Sequence, residues 1–371
     1  MSKQKEIIVN LLGKANVAIN GQNPWDIEVH NQEFYSRLFK NPNLMLGESY
    51  VDGWWDSRAL DQFFFKIMRA GLEHDVRNMS VLLHYIKAQI FNRQKKSRAV
   101  DVAQQHYDIG NNLYAPMLGR TMGYTCGYWK NAKNLDEAQD AKFDLVCRKI
   151  GLKPGMRVLD LGCGFGGFLK FAAEKYGVSG IGVNISKEQV AFAKESCRGL
   201  PVEFQLSDYR SAPKGQFDHI VSIGLAEHVG YKNYRTLLKL ASDRLKDGGL
   251  FLLHTIGNNI SVTATDPWID KYIFPNGMLP SIKQLGGAME GLFVMEDWHN
   301  FGSDYDKTLM AWYRNFCDNW PTLQKQYGDR FYRLWSYYLL SCAGAFRARH
   351  IQLWQLVLSK KGVLGGYQSV R

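Results

Sequence analysis

Beyond Gly151 the chain alternates short apolar, β-branched runs with amphipathic stretches. Arg157–Leu161 (RVLDL), Gly180–Ile185 (GIGVNI), Val202–Leu206 (VEFQL), His219–Ile223 (HIVSI) and Leu250–Thr255 (LFLLHT) have the length and composition of buried strands. Between them, Gly167–Tyr176, Lys187–Cys197 and Tyr234–Leu245 place apolar residues at helical spacing. Strand and helix in alternation predict right-handed βαβ crossovers and an α/β fold, a parallel sheet with helices on both faces. Phe293–Trp298 and Ile351–Ser359 add two strands, separated by a long helical region from Asp304 to Arg349. Residues 258–290, containing PWIDKYIFPNGMLP, are too long for an ordinary connection and read as an insertion that serves as a lid.

Ahead of this pattern the chain reads as helical and aromatic. Ala59–Gly71 has a helical pattern ended by glycine. Ser80 is placed to cap a second helix with Leu82, Ile86 and Ile90 on one face, running into the basic stretch NRQKKSR at 92–98. The expected division is a small helical N-terminal domain over 1–91, a basic linker over 92–101 and the α/β domain over 102–371. Trp54–Trp55 and the Phe63–Phe65 run are read as core, with packing against a second subunit as a further use of the same surface.

Composition narrows the class. The 371 residues are 46% hydrophobic and 13% aromatic, which excludes intrinsic disorder. The net charge of +11 points to a nucleic acid or an anionic membrane surface as partner. Much of the excess lies early: residues 62–98 hold eight basic against two acidic residues. A basic amphipathic end of this kind is the pattern of a helix lying on a membrane, and equally of a solvated linker. No apolar run approaches the roughly 18 residues that span a bilayer. The N-terminus MSKQKEIIVN carries no secretory pattern, so the expectation is a cytoplasmic protein. The six cysteines form no CxxC pair and are expected to be reduced thiols, with no metal site. Cys342, in the apolar stretch YYLLSCAGAF, is read as core.

The sharpest chemical signal is VLDLGCGFGG, residues 158–167, where a strand ends in a glycine-rich turn that opens a helix. Gly162, Gly164 and Gly166 let the backbone approach a ligand where a Cβ would clash. Asp160 stands just before them, which disfavours a phosphate and suits a cationic ligand. The string resembles the first motif of class I S-adenosylmethionine methyltransferases, and implies a Rossmann-like sheet. In such folds the second strand ends on an acidic residue that holds the ribose; here it ends on Asn184, uncharged. The third strand ends at Asp208, placed for the adenine amino group or simply as an exposed turn aspartate.

Three further stretches narrow the resemblance: HYDIGN (106–111), YTCGYW (124–129), and EHVG (227–230) with HTIG (254–257). Together with LGESYVDGWW (46–55), KYIFPNG (271–277) and MEDWHNFGSDYDKTLMAWY (295–313), they are similar to the cyclopropane-fatty-acyl-phospholipid synthase family nearly end to end. Over the catalytic part they are also similar to the mycolic acid cyclopropane synthases. The resemblance implies attack of a cis double bond of a phospholipid acyl chain on the methyl of S-adenosylmethionine, then proton loss and ring closure. It implies a bound bicarbonate as base, cradled by Cys126 and Ile256 through their backbones and by Glu227, His254 and Tyr305. It adds Tyr124, Thr125, Asn184, Gln189 and Tyr209 to the cofactor contacts, and implies a homodimer working at the membrane surface.

Two residues keep blander readings. Glu227 also suits a helix start, where a carboxylate complements the dipole. His254 also suits a satisfied core histidine. Their placement at adjacent strand ends favours function. Nucleic-acid methylation is the competing class. No Asn/Asp-Pro-Pro-aromatic string follows the fourth strand, where the sequence is IGLAEHVG, and the aromatics are not interleaved with Lys and Arg. A non-catalytic lipid-binding protein would have no need of an intact glycine loop beside Glu227 and His254.

Overall fold

The architecture comes from a computed structural model that describes residues 3–72 and 110–371. The helix expected from Ser80, the NRQKKSR stretch and the boundary near residue 100 lie outside the described residues. The chain forms two compact units, Met1–Phe91 with Ala264–Pro275 and Tyr305–Ile351, and Asn92–Thr263 with Asn276–Asp304 and Gln352–Arg371. Three consecutive blocks were expected; instead each unit is assembled from separate stretches.

Aromatic burial accounts for the first unit's composition. Helices Lys3–Lys14, Phe34–Leu38, Pro42–Val51 and Leu60–Arg69 surround a two-stranded pair, β1 (Glu28–Val29) and β2 (Trp55–Asp56). Ala59 and Gly71, the latter at φ +67°, bracket the fourth helix as its sequence predicts. Trp55 is fully buried against Phe34, Tyr50 and Phe63. The long helix Ser303–Arg347, broken at Gly328, supplies Tyr337, which packs on Tyr50, Phe64 and Trp268. Arg347 bonds Asp61 and Asp306, and Arg333 donates to the Tyr50 and Trp55 carbonyls. Part of the expected lid is thereby fixed. Trp268, on helix Pro267–Tyr272, is buried, and Glu48 holds Lys271 at 2.6 Å and Tyr272 at 2.9 Å. Of the residues read as core, Trp55, Phe63 and Phe64 are buried, whereas Trp54 and Phe65 are half-buried.

The second unit is the predicted α/β layer. Seven strands follow: β3 (Arg157–Leu161), β4 (Ser179–Asn184), β5 (Val202–Leu206), β6 (Phe217–Ile223), β7 (Leu245–Asn258), β8 (Val294–Asn300) and β9 (Ile351–Ser359). They lie in the order β5-β4-β3-β6-β7-β9-β8, with β3 to β7 parallel and β8 antiparallel to β9. Successive residues alternate between two apolar layers. Leu159, Leu161, Leu253 and Leu356 belong to one, and Val158, Val221, Leu252 and Val357 to the other. Both faces are covered, which is why the strands read as nearly continuous apolar runs. The chain winds from β3 outward through β4 to β5, then returns to β6 on the other side of β3. The strand order therefore reverses between β3 and β6, where open α/β sheets take their ligands.

Candidate active site

Glycine geometry builds the first wall at this switch point. Gly162, Gly164 and Gly166 have φ of +82°, +54° and +82°. That left-handed region is costly for any residue with a Cβ. At Gly164 the space a Cβ would take is open, whereas at Gly166 it would meet Phe204 and Ala193 under 3 Å away. Helix Gly167–Tyr176 starts at once, with its amides facing the turn. Asp160 is buried with Oδ1 unpartnered, and burial lifts its carboxyl to about 7 despite the nearby Lys142 ammonium. The Asn184 amide donates to the Gly164 carbonyl at 3.2 Å and to Gln189 Oε1 at 2.6 Å, tying the end of β4 to the loop. Asp208 is less available than its strand-end position implies, since Arg210 grips both its oxygens at 2.7 Å. Tyr209 beside it is buried with its hydroxyl unpartnered. A glycine cradle with a buried, unpartnered carboxylate oxygen fits a ligand bearing a positive amine, as S-adenosylmethionine does.

The second wall is the YTCGYW segment, held on helix Leu135–Lys149, which Asn134 caps through Glu137 N–H. Gln139 donates to the carbonyls of Gly123 and Thr125, and Tyr128 N–H donates to the Ala138 carbonyl. Gly127 sits so close to Ala138 that a Cβ would overlap it. Trp129 N–H donates to Asp304 at 2.7 Å. These bonds fix Tyr124, whose ring meets Tyr114, as well as Thr125 and the buried Cys126. Lys142, on the same helix, is fully buried and donates to Thr125 Oγ1 at 2.8 Å. Burial pulls its ammonium down to about 7, with Cys126 and Asp160 opposing.

The third wall comes from the ends of β6 and β7. Glu227, in the short helix Ala226–Val229, accepts from Ile256 N–H at 2.7 Å through Oε1. Its Oε2 is buried without a partner, and burial raises the carboxyl to about 7. A carboxylate serving only the helix start has no reason to reach across to β7. The Ile256 N–H is therefore already engaged, by Glu227, and its carbonyl accepts from Thr255. His254 is buried, its Nδ1 lies 3.2 Å from Gln355 Nε2 on β9, and its Nε2 has no partner. Burial, reinforced by Lys142 and Lys149, holds it well below the ordinary histidine range. His219 differs: its Nδ1 accepts from Leu250 N–H, an ordinary core arrangement. Tyr305 belongs to the first unit, where its ring stacks on Phe346.

Three residues here escaped the sequence reading: Gln139, Lys142 and Gln355. Their signal was present, as polar residues embedded in apolar stripes (Ala138, Phe143 and Val146 around the first two, IQLWQLVLS around the third). Among the described residues no cluster of metal-ligating side chains occurs.

Residues 94–356 match the family model described as mycolic acid cyclopropane synthetase. The chain belongs to this family. It is accordingly an enzyme of the methyltransferase class, and the sheet is the class I S-adenosylmethionine methyltransferase fold. The cyclopropane-fatty-acyl-phospholipid synthase of Escherichia coli strain K12 is 52% identical over 362 residues, 97% of this chain and 94% of that protein. The cyclopropane synthase MmaA2 from Mycobacterium tuberculosis is 29% identical with a TM-score of 0.65, spanning 70% of this chain and 98% of its own. The mycolic acid cyclopropane synthase CmaA1, complexed with SAH and CTAB, is 30% identical with the same TM-score of 0.65, 70% and 98% covered.

Proposed function

We propose that this enzyme transfers a methylene group from S-adenosylmethionine to the cis double bond of unsaturated phospholipid acyl chains, forming a cyclopropane ring, with bicarbonate as the general base. The observation that carries the reading is that two buried, unpartnered atoms lie at the carboxyl ends of neighbouring strands, Glu227 Oε2 just after β6 and His254 Nε2 on β7. Buried polar atoms in native structures find partners, so an open acceptor and an open ring nitrogen call for a small polar guest. Bicarbonate offers acceptor oxygens and one O–H, which is complementary to that pair.

When bound, S-adenosylmethionine supplies an electrophilic methyl, and Asp160, Asn184, Gln189, Tyr124, Thr125 and Tyr209 would hold it, with Asp208 joining once released from Arg210. Bicarbonate would supply a base where water is excluded, held by Glu227 and His254 together with Cys126. Glu227, balanced near neutrality, can take or give a proton at Oε2. The buried carboxyls of Asp160 and Glu227 favour a developing cation more strongly than they would in water.

The substrate requires a membrane-surface enzyme. No described helix is long and apolar enough to cross a bilayer. The basic 62–98 stretch supports peripheral docking on the inner leaflet, and a homodimer would present two such stretches. The direct test incubates the enzyme with methyl-labelled S-adenosylmethionine, bicarbonate and vesicles of unsaturated phospholipid. Label should enter the lipid fraction and depend on bicarbonate. Label absent from lipid, or equal with saturated lipid, overturns the reading.

A further inference from the structure

We propose that Gln355 is a positioning residue that fixes His254 in one tautomer, with Nδ1 bare and the proton on Nε2 facing the guest. Gln355 lies on β9, the neighbour of β7 in the sheet, and is fully buried. Alternation along the two strands puts His254 and Gln355 on the same face as Leu252 and Val357. The Gln355 side-chain nitrogen lies 3.2 Å from His254 Nδ1. With its NH2 turned to the ring the amide donates and Nδ1 accepts, and Gln355 Oε1 is left buried without a partner. A neutral imidazole carries one proton, which is then on Nε2.

The surroundings keep the ring neutral. It is buried, Lys142 and Lys149 both oppose a second proton, and the ring that meets it is Phe301, at 5.9 Å between centroids. The buried Nε2 is thus an N–H donor without a protein partner. Glu227 Oε2 supplies an acceptor, so the walls present one donor and one acceptor together. Neither Gln355 nor this division of roles is apparent from the strand-end motif alone, because Gln355 is 101 residues away in sequence. The tautomer stands on the structure by itself; its value for turnover rests on the proposed anion site.

Nitrogen-15 spectroscopy of the imidazoles decides the matter, with His254 assigned against a His254→Asn sample. The expected result is an unprotonated, pyridine-like Nδ1 and a protonated, pyrrole-like Nε2. A proton on Nδ1, or a doubly protonated ring, overturns the proposal, and this measurement needs no variant of Gln355. Gln355→Glu, assayed at a pH high enough to ionise the buried carboxyl so that it only accepts, should move the proton to Nδ1 and lower kcat by roughly ten- to a hundredfold, the usual penalty for a misoriented partner. KM for S-adenosylmethionine should stay within about twofold, because the glycine loop is untouched. Gln355→Met should lose the tautomer preference and fall between Glu and wild type. Full activity in Gln355→Glu with the proton shifted overturns the positioning role. The expected spectrum together with bicarbonate-independent methyl transfer leaves the tautomer standing and removes the anion reading instead.

Discussion

Replacing Glu227 by glutamine separates stability from turnover. The amide keeps the shape of the side chain, and its oxygen can go on accepting from Ile256 N–H, now 2.7 Å away. What disappears is the ionisable proton. Burial has lifted the Glu227 carboxyl from 4.5 to about 7, so the folded chain holds that proton more tightly than the unfolded chain does. Below about pH 4.5 both states are protonated and the site costs nothing. As pH rises from there through 7, ionising the buried group costs progressively more, reaching about 3 kcal/mol above pH 7. Glutamine never bears that cost. The Glu227→Gln protein should therefore match wild type in urea or thermal unfolding near about pH 4 and exceed it by up to about 3 kcal/mol near about pH 8. Turnover should fall by a factor on the order of a hundred to a thousand, the range for losing one preorganised polar group. Affinity for S-adenosylmethionine, measured by calorimetry, should change by less than about threefold. A stability difference that does not grow with pH would refute the electrostatic argument. Equal losses of affinity and turnover would make Glu227 a structural residue.

Other perturbations address the remaining walls. Lys142→Met removes the donor to Thr125 Oγ1 and the ammonium that opposes protonation of Asp160, so the Asp160 carboxyl should rise further above about 7. Affinity for S-adenosylmethionine should drop roughly tenfold at neutral pH, about one hydrogen bond's worth, and recover as pH is raised to ionise Asp160; a pH-independent loss would contradict this. Gly166→Ala forces a Cβ into φ +82° and against Phe204 and Ala193. It should lower stability by about 1–3 kcal/mol in urea unfolding and abolish S-adenosylmethionine binding, and an unchanged midpoint would argue against a strained turn. Vesicle binding should weaken steeply between about 50 and 300 mM salt for anionic lipid, since exposed charges are screened within about 10 Å. Binding that survives deletion of residues 1–100 would assign lipid engagement elsewhere.

What the sequence determined by itself was local. Strands β3, β5 and β9 and helix Gly167–Tyr176 occupy the residues their patterns predict, because period 2 and period 3.6 register which faces are buried. The glycine loop was legible too, since only residues without a Cβ tolerate its backbone. Partnerships across the chain were not. Lys142 meets Thr125 over 17 residues and Gln355 meets His254 over 101, and no periodicity encodes which polar residue will face which. Glu227 and His254 were named as a pair, yet the bond from Ile256 N–H that aims the carboxylate exists only once β6 and β7 lie side by side. The division into units was decided in the same way. A buried Trp268 draws residues 264–275 to the aromatic cluster of the N-terminal helices. Burial of a large ring depends on complementary surfaces far apart in sequence, and those meet only in the folded chain.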